Sequence, residues 1–317
     1  MTTATTAHAP APPADPADAP LTLPPAEDAG LGRDLTEAEA DYLFDVQGFR
    51  VLEGVLSPEQ LDAINGWVDA QDRENLANGD WVGDVQVHAY GQNDGMNFQN
   101  VMEADAPVFQ DLIDHPGWVD MVRRYITNDD HRLSIDECFL NIRSGGGFIP
   151  THSGGDNVRF TGQFAWPNGK WAVGQINILM ALTDIGPGDG GTTLIPGSHH
   201  GRFRHPVYDQ SPGPEGAAGR TGPKTLGMRE VNMKAGSALM FTDGICHGSM
   251  PRVNDGERRI LVYRYSPHLL ANRMNYIPSD AFLAKLTDAQ KAIVQPIPPL
   301  GRPGRTLTFE AGEAVGG

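Results

Sequence analysis

From about residue 36 the chain follows two hydrophobic rhythms in turn. In "LTEAEADYLFDVQ", Thr36 is placed to cap a helix that carries Leu43 and Phe44 on one face. The next run, "GFRVLEGVL", alternates with the two-residue period of a strand. Ser57-Pro58-Glu59 then opens a second amphipathic helix through Leu61, Ile64 and Trp67. A short third helix is predicted within "APVFQDLIDHPGWVDMVRRYI". Beyond about residue 133 the rhythm becomes short strands between glycine turns: "LSIDECFLNIRS", "KWAVGQINILMALTDI", "TTLIPGSH", "REVNMKAGSALMFTD" and "RRILVYRYSPH". These elements predict a mainly β, α+β domain over residues 34–295: an antiparallel barrel or jelly roll with helices packed outside. An insertion at about 201–228 interrupts it and could act as a lid.

Composition changes this picture at the ends. Residues 1–33 are dominated by Ala, Pro, Thr and Asp, too little apolar surface to offset chain entropy, so a disordered tail is expected. Residues 296–317 read as a loose tail. With 24 basic and 40 acidic residues the formal charge is -16, which argues against a nucleic-acid polymer or a membrane surface as partner. No run approaches the roughly 18 apolar residues of a membrane span. No basic-then-apolar leader opens the chain, and only Cys138 and Cys246 are present, outside any CxxC pattern. A reducing, cytoplasmic setting and a small-molecule substrate fit this composition.

The candidate chemistry is an ordered set. His152 ends the run "NIRSGGGFIP"; the turn "DIGPGDGGTTLIPGSHH" follows the next long strand; His247 lies in "GSALMFTDGICHGS"; Arg258 begins "RRILVYRY". Neutral imidazoles on adjacent barrel strands can occupy neighbouring positions on a divalent iron. An arginine inside the barrel can grip a carboxylate through two parallel hydrogen bonds. A single histidine would ordinarily be a structural or surface residue; the ordered set is what carries the signal. The glycine runs do not make a phosphate loop, because neither precedes a helix with the required Lys-Ser/Thr.

Two further stretches bear on substrate. The basic cluster "GSHHGRFRHP" contributes Arg202, Arg204 and His205, with Arg220 and Lys224 later, and could attract an anionic or nucleotide-like metabolite; the alternative is a solvated loop. The stretch containing Trp81, His88, Tyr90, Asn97 and Phe98 could cover the barrel mouth, or could simply pack onto the core.

The opening segment "YLFDVQGFRVLEGVLSPEQLDAI", the turn "GDGGTTLIPGSHH" and the run "AGSALMFTDGICHGS…RRILVYRY" resemble the phytanoyl-CoA dioxygenase family, over about residues 38 to 270. That resemblance implies a cupin-like double-stranded β-helix that uses Fe(II), 2-oxoglutarate and O2. It implies His152 and His247 as iron ligands and Arg258 as the partner of the distal 2-oxoglutarate carboxylate. Arg259 is adjacent, but strand alternation lets only one of the two face inward. Thr192, Thr193, Gln175 and Asn177 lie on strands that could line the co-substrate pocket.

The family pattern is His-x-Asp or His-x-Glu, whereas this chain has His152-Ser153-Gly154. Glycine offers no ligand. A chloride or bromide at the vacant position would keep the same charge at the metal, and the missing side chain would leave it room. His-x-Gly resembles the non-haem iron halogenases and implies radical halogenation with loss of 2-oxoglutarate as succinate. Alternatively Asp156 supplies the acid and hydroxylation survives. In a continued strand it would lie about 13 Å from His152, at roughly 3.3 Å per residue. Gly154 and Gly155 would have to turn the chain back. Water in the vacant site, or a barrel that has lost its chemistry, are the remaining alternatives.

Overall fold

The computed structural model describes residues 35–88, 95–126, 133–153, 160–201, 203, 205–208, 225–268, 270 and 278–294. Gly154, Asp156, Arg202, Arg204, Tyr90, both expected tails and most of the expected insertion lie outside them.

The first two helices start where their caps direct. Thr36 and Ser57 each accept the backbone N–H three residues on, while Glu39 and Gln60 reach back to the cap, so α1 (Glu37–Gln47) and α2 (Pro58–Asp69) both begin with a complete capping box. The third expected helix is two: α3 (Pro107–Asp111) and α4 (Val119–Ile126). Pro116 lies in the break, where its ring and missing N–H oppose a continuous helix. Near the C-terminus, α5 (Asp280–Ala284) and α6 (Asp288–Val294) were not anticipated; Ser279 caps the first, and Phe282, Ile293 and Val294 bury their apolar sides.

The strands are β1 (Phe49–Leu52), β2 (Trp81–Val82), β3 (Val85–His88), β4 (Met96–Gln99), β5 (Leu133–Arg143), β6 (Phe164–Ala165), β7 (Ala172–Val173), β8 (Ile176–Ala181), β9 (Thr192–Leu194), β10 (Arg229–Val231), β11 (Ala238–Thr242), β12 (His247–Ser249) and β13 (Arg258–Pro267). Eight form one antiparallel sheet in the order β1-β11-β8-β13-β5-β4-β3-β2. Three form a smaller sheet, β10-β9-β12, and β6 pairs with β7 alone. The expected strand "REVNMKAGSALMFTD" is thus two, β10 and β11, one in each sheet, joined through a turn at Gly236, whose φ is 85°. The architecture is a jelly roll with helices on one side.

Strand alternation sorts the core into two. Leu140, Ile178, Met240, Leu261 and Tyr263 face outward and pack with Phe44, Ile64, Phe109, Trp118 and Tyr125 of the helical layer. Phe139, Leu179, Leu239, Phe241, Ile260 and Val262 face inward and pack with Leu194 and Val231 of the small sheet. Burying a side chain of this size stabilises by about 1.5–3 kcal/mol, so both faces of the large sheet hold it in place. Among the described residues no helix is long and apolar enough to cross a membrane. Cys138 and Cys246 are buried and unbridged.

Candidate active site

Between the two sheets lies a cavity of about 210 Å³. From β13 it takes Arg258, Ile260, Val262 and Arg264, every second residue; from β5 it takes Glu137, Phe139 and Asn141. His152, His247, Ser249 and Thr192 close it from the other side.

The two histidines are brought together by backbone pairing. His152 N–H donates to the His247 carbonyl at 2.8 Å and His247 N–H returns the bond at 3.0 Å, an isolated antiparallel bridge at the edge of β12. The side chains of such a directly opposed pair lie on one face, and the ring centroids stand 4.1 Å apart. Close approach is enforced next door: a Cβ on Gly248 would sit 2.7 Å from the Ile149 carbonyl oxygen. Each ring is oriented in the same way. His152 Nδ1 lies 2.9 Å from the Pro150 carbonyl and His247 Nδ1 2.7 Å from that of Ile245. A carbonyl can only accept, so both Nδ1 atoms carry a proton, and the neutral form of each ring would offer Nε2 to a metal. Burial and the neighbouring His152 hold His247 in its neutral form, which is the form that ligates a metal. Two imidazoles in this state suit a divalent transition metal. Among the described residues no group of three His, Cys, Asp or Glu side chains is placed to hold one.

Arg258 is 3% exposed. It donates to Asn141 Oδ1 at 3.2 Å, forms no ion pair among the described residues, and has a buried Nε with no partner. Burial, then the charges of Arg143 and Arg252, push its pKa well below the usual arginine value. Arg252 is itself paired with Asp189 at 3.0 Å. A buried guanidinium so disposed is a place for an anion. Arg259 points the other way, to Asp69 at 2.6 Å and Glu257 at 2.8 Å.

A relay extends from Arg258 across three strands. Asn141 Nδ2 donates to Asn97 Oδ1 at 2.9 Å, and the Asn97 Nδ2, buried and unpartnered, remains at the cavity wall. Thr192 Oγ1 is likewise buried without a partner. At the opposite end of β13, Arg264 pairs with Glu137 and lies over the Phe139 ring, 5.2 Å from its centroid. One end of the cavity therefore presents donors and the other an internally neutralised pair.

Several residues singled out from the sequence fall elsewhere. Thr193 is buried but does not line the cavity; with strict alternation only its neighbour Thr192 can. Gln175 donates to Asp136 at 3.0 Å and Asn177 to Asp243 at 3.4 Å, both outside the cavity lining. Phe98 packs edge-on against Trp67 in the outer core, and His88 on β3 pairs with Asn97 of the cavity wall without lining the cavity itself. Trp81 is 63% exposed. His205 bonds the Leu226 carbonyl at 3.0 Å, so it ties the two stems of the insertion together. Asn141 and Ser249 escaped the sequence reading, although the alternation that selects Arg258 also points to them.

Directly after His152 the chain changes direction. Ser153 has φ 62°, one of two non-glycine residues with positive φ among those described. The left-handed conformation costs an L-residue roughly 1–2 kcal/mol. His152 is therefore followed by a left-handed residue and not by continued strand; Asp156 lies outside the described residues.

A family model described as phytanoyl-CoA dioxygenase matches residues 44–260. No curated protein sequence matches the chain. Among solved structures, the chain is similar to HygX from Streptomyces hygroscopicus with nickel and 2-oxoglutarate bound, at 20% identity and a TM-score of 0.59, covering 78% of this chain and 93% of that one. AviO1 from Streptomyces viridochromogenes Tue57 matches at 18% identity and a TM-score of 0.51, over 74% and 96%. The non-heme alpha-ketoglutarate-dependent epimerase SnoN from nogalamycin biosynthesis matches at 14% and 0.50, over 76% and 84%. At these identities the structures speak for the fold; the family model covers most of the chain. This chain belongs to the phytanoyl-CoA dioxygenase family.

Proposed function

We propose that the protein is an Fe(II)- and 2-oxoglutarate-dependent oxidative enzyme acting on a C–H bond of a small metabolite. The observation that carries this reading is the pairing, in one cavity, of two Nδ1-protonated imidazoles with a buried arginine that forms no ion pair among the described residues. His152 and His247 would hold the iron through Nε2. Arg258 would take the distal carboxylate of 2-oxoglutarate, with Thr192 Oγ1 and Asn97 Nδ2 as further donors. HygX, a neighbour in fold, has been crystallised with nickel, 2-oxoglutarate and hygromycin B, which supports a small molecule as substrate here.

When bound, the iron and its co-substrate supply, with O2, oxidative removal of a hydrogen atom from carbon, while 2-oxoglutarate is lost as succinate and CO2. The chain's own residues bind, orient and exclude water. Phe139, Leu179, Phe241, Ile260 and Val262 make the middle of the cavity apolar, which strengthens the arginine's grip on an anion. The Arg264–Glu137 pair would face the substrate.

The finer reading is halogenation. Position 154 is glycine, and a chloride or bromide would complete the charge at the iron; no carboxylate among the described residues joins the two histidines. The second reading is hydroxylation with Asp156 as ligand, and the left-handed Ser153 favours it by turning the chain directly after His152. Anaerobic loading with Fe(II) and 2-oxoglutarate, exposure to air with candidate substrates, and product masses with chloride, bromide or neither separate the two. Halogen-dependent mass shifts are expected, and Gly154→Asp should abolish them. Products that gain oxygen alone whatever halide is present, together with loss of iron binding in Asp156→Ala, would leave hydroxylation as the function.

A further inference from the structure

Within the insertion, Tyr208 reaches the chain beside both histidines. Tyr208 ends a short 3-10 turn, Pro206–Tyr208, and its hydroxyl donates to the carbonyl of Ser153 at 2.6 Å. That carbonyl belongs to the residue after His152, the one held at φ 62°. The same hydroxyl lies 3.2 Å from Cys246 Sγ, the residue before His247. Tyr208 thus touches the chain neighbours of both histidines.

Its own position is well fixed. The ring is 8% exposed and packs with Ile195, Met228 and Cys246 in a small core of their own. Cys246 is pinned in turn: its N–H donates to Ser198 Oγ at 2.7 Å and its carbonyl accepts from Ile195 at 2.9 Å. The base of the insertion is closed by the His205 bond to Leu226. A tyrosine anchored this firmly can impose a conformation on a neighbour that would not choose it. Ser153 is such a neighbour, since a serine in the left-handed region is disfavoured by a free energy similar to that of one good hydrogen bond.

We propose that Tyr208 is a positioning residue of the metal site: by taking the Ser153 carbonyl it holds Ser153 left-handed, and so fixes the direction in which the chain leaves His152. This rests on the iron reading of His152 and His247, and it goes beyond it by coupling the insertion to the coordination sphere. The backbone path beyond His152 decides whether the third position is open to an outside anion or filled from the chain. Tyr208 is therefore the residue through which the insertion sets that choice.

The test uses full-length apo protein in four forms: wild type, Tyr208→Phe, Ser153→Gly and the double variant. Phenylalanine keeps the ring in its core and removes only the hydroxyl; glycine adopts positive φ freely. Co(II) titrations, followed by its visible d–d absorption, report affinity and coordination geometry. Tyr208→Phe is expected to weaken Co(II) by about tenfold, the factor corresponding to ~1.4 kcal/mol, the upper part of the range for one hydrogen bond, and to alter the spectrum. Ser153→Gly should restore both in the double variant to within about twofold of wild type. A tyrosine that merely packed the insertion would give a loss that glycine at 153 cannot rescue, and that result overturns the proposal, as does an unchanged Tyr208→Phe titration. If wild type binds no Co(II), the iron reading fails. The proposal is then decided by the metal-free crystal structure of Tyr208→Phe, where Ser153 should leave positive φ; its retention there would contradict the inference.

Discussion

The two walls of the cavity are built differently. The large-sheet wall is continuous: β13 lies between β8 and β5 with registers unbroken from Ile260 to Arg264, and its outer face is packed by helices. Arg258, Asn141 and Asn97 are held there on three neighbouring strands. The opposite wall is short. Its β12 has three residues, and His152 joins it through a single bridge before the chain turns at Ser153. The rigid wall carries the buried Arg258, while His152 and His247 hang on a few hydrogen bonds. Affinity for the co-substrate should therefore depend on side-chain chemistry, and metal geometry on backbone detail.

The sharpest way to break that contrast is Arg258→Lys. Lysine keeps the charge but loses the two-pronged geometry and the bond to Asn141. Affinity for 2-oxoglutarate should fall by about 100-fold, with melting temperature little changed, because lysine leaves a buried charge beside Arg143 and Arg252 as before. Calorimetry on the Co(II)-loaded protein checks it.

On the other wall the sensitive position has no side chain. Gly248→Ala places a methyl 2.7 Å from the Ile149 carbonyl and 3.1 Å from the Thr151 nitrogen, both backbone atoms. The strands must part, at about 1–3 kcal/mol. Thermal unfolding should register this, and Co(II) affinity should fall more than 2-oxoglutarate affinity.

The smallest effect is expected outside the cavity. Arg259→Ala removes ion pairs to Asp69, which is 59% exposed, and Glu257. A loss of about 1 kcal/mol or less is expected by chemical denaturation, with co-substrate affinity unchanged. A large fall in that affinity would mean that the inward residue of the pair has been misassigned.

The sequence already contained much of this. The caps at Thr36 and Ser57 marked two helices, and period-two alternation marked β5, β8 and β13. Where it misled, tertiary context overrode local pattern. The run from 229 to 243 reads as one strand, yet its halves serve different sheets, because the turn at Gly236 lets the chain cross between them. Gln175 falls between strands and Asn177, although on the inward face of β8, is drawn to Asp243, so neither lines the cavity. Tyr208 carried no signal at all: its role comes from a contact across 55 positions of chain. His152 and His247, by contrast, were visible as an ordered pair, and backbone pairing places their rings together.

The most direct test of the account is an anaerobic titration of the apo protein with Fe(II) and 2-oxoglutarate, monitored by the visible charge-transfer band of the chelated co-substrate. One iron and one 2-oxoglutarate per chain are expected in the wild type. Affinity should fall by more than about 100-fold when either His152 or His247 is replaced by alanine. An unchanged titration in both alanine variants would contradict it.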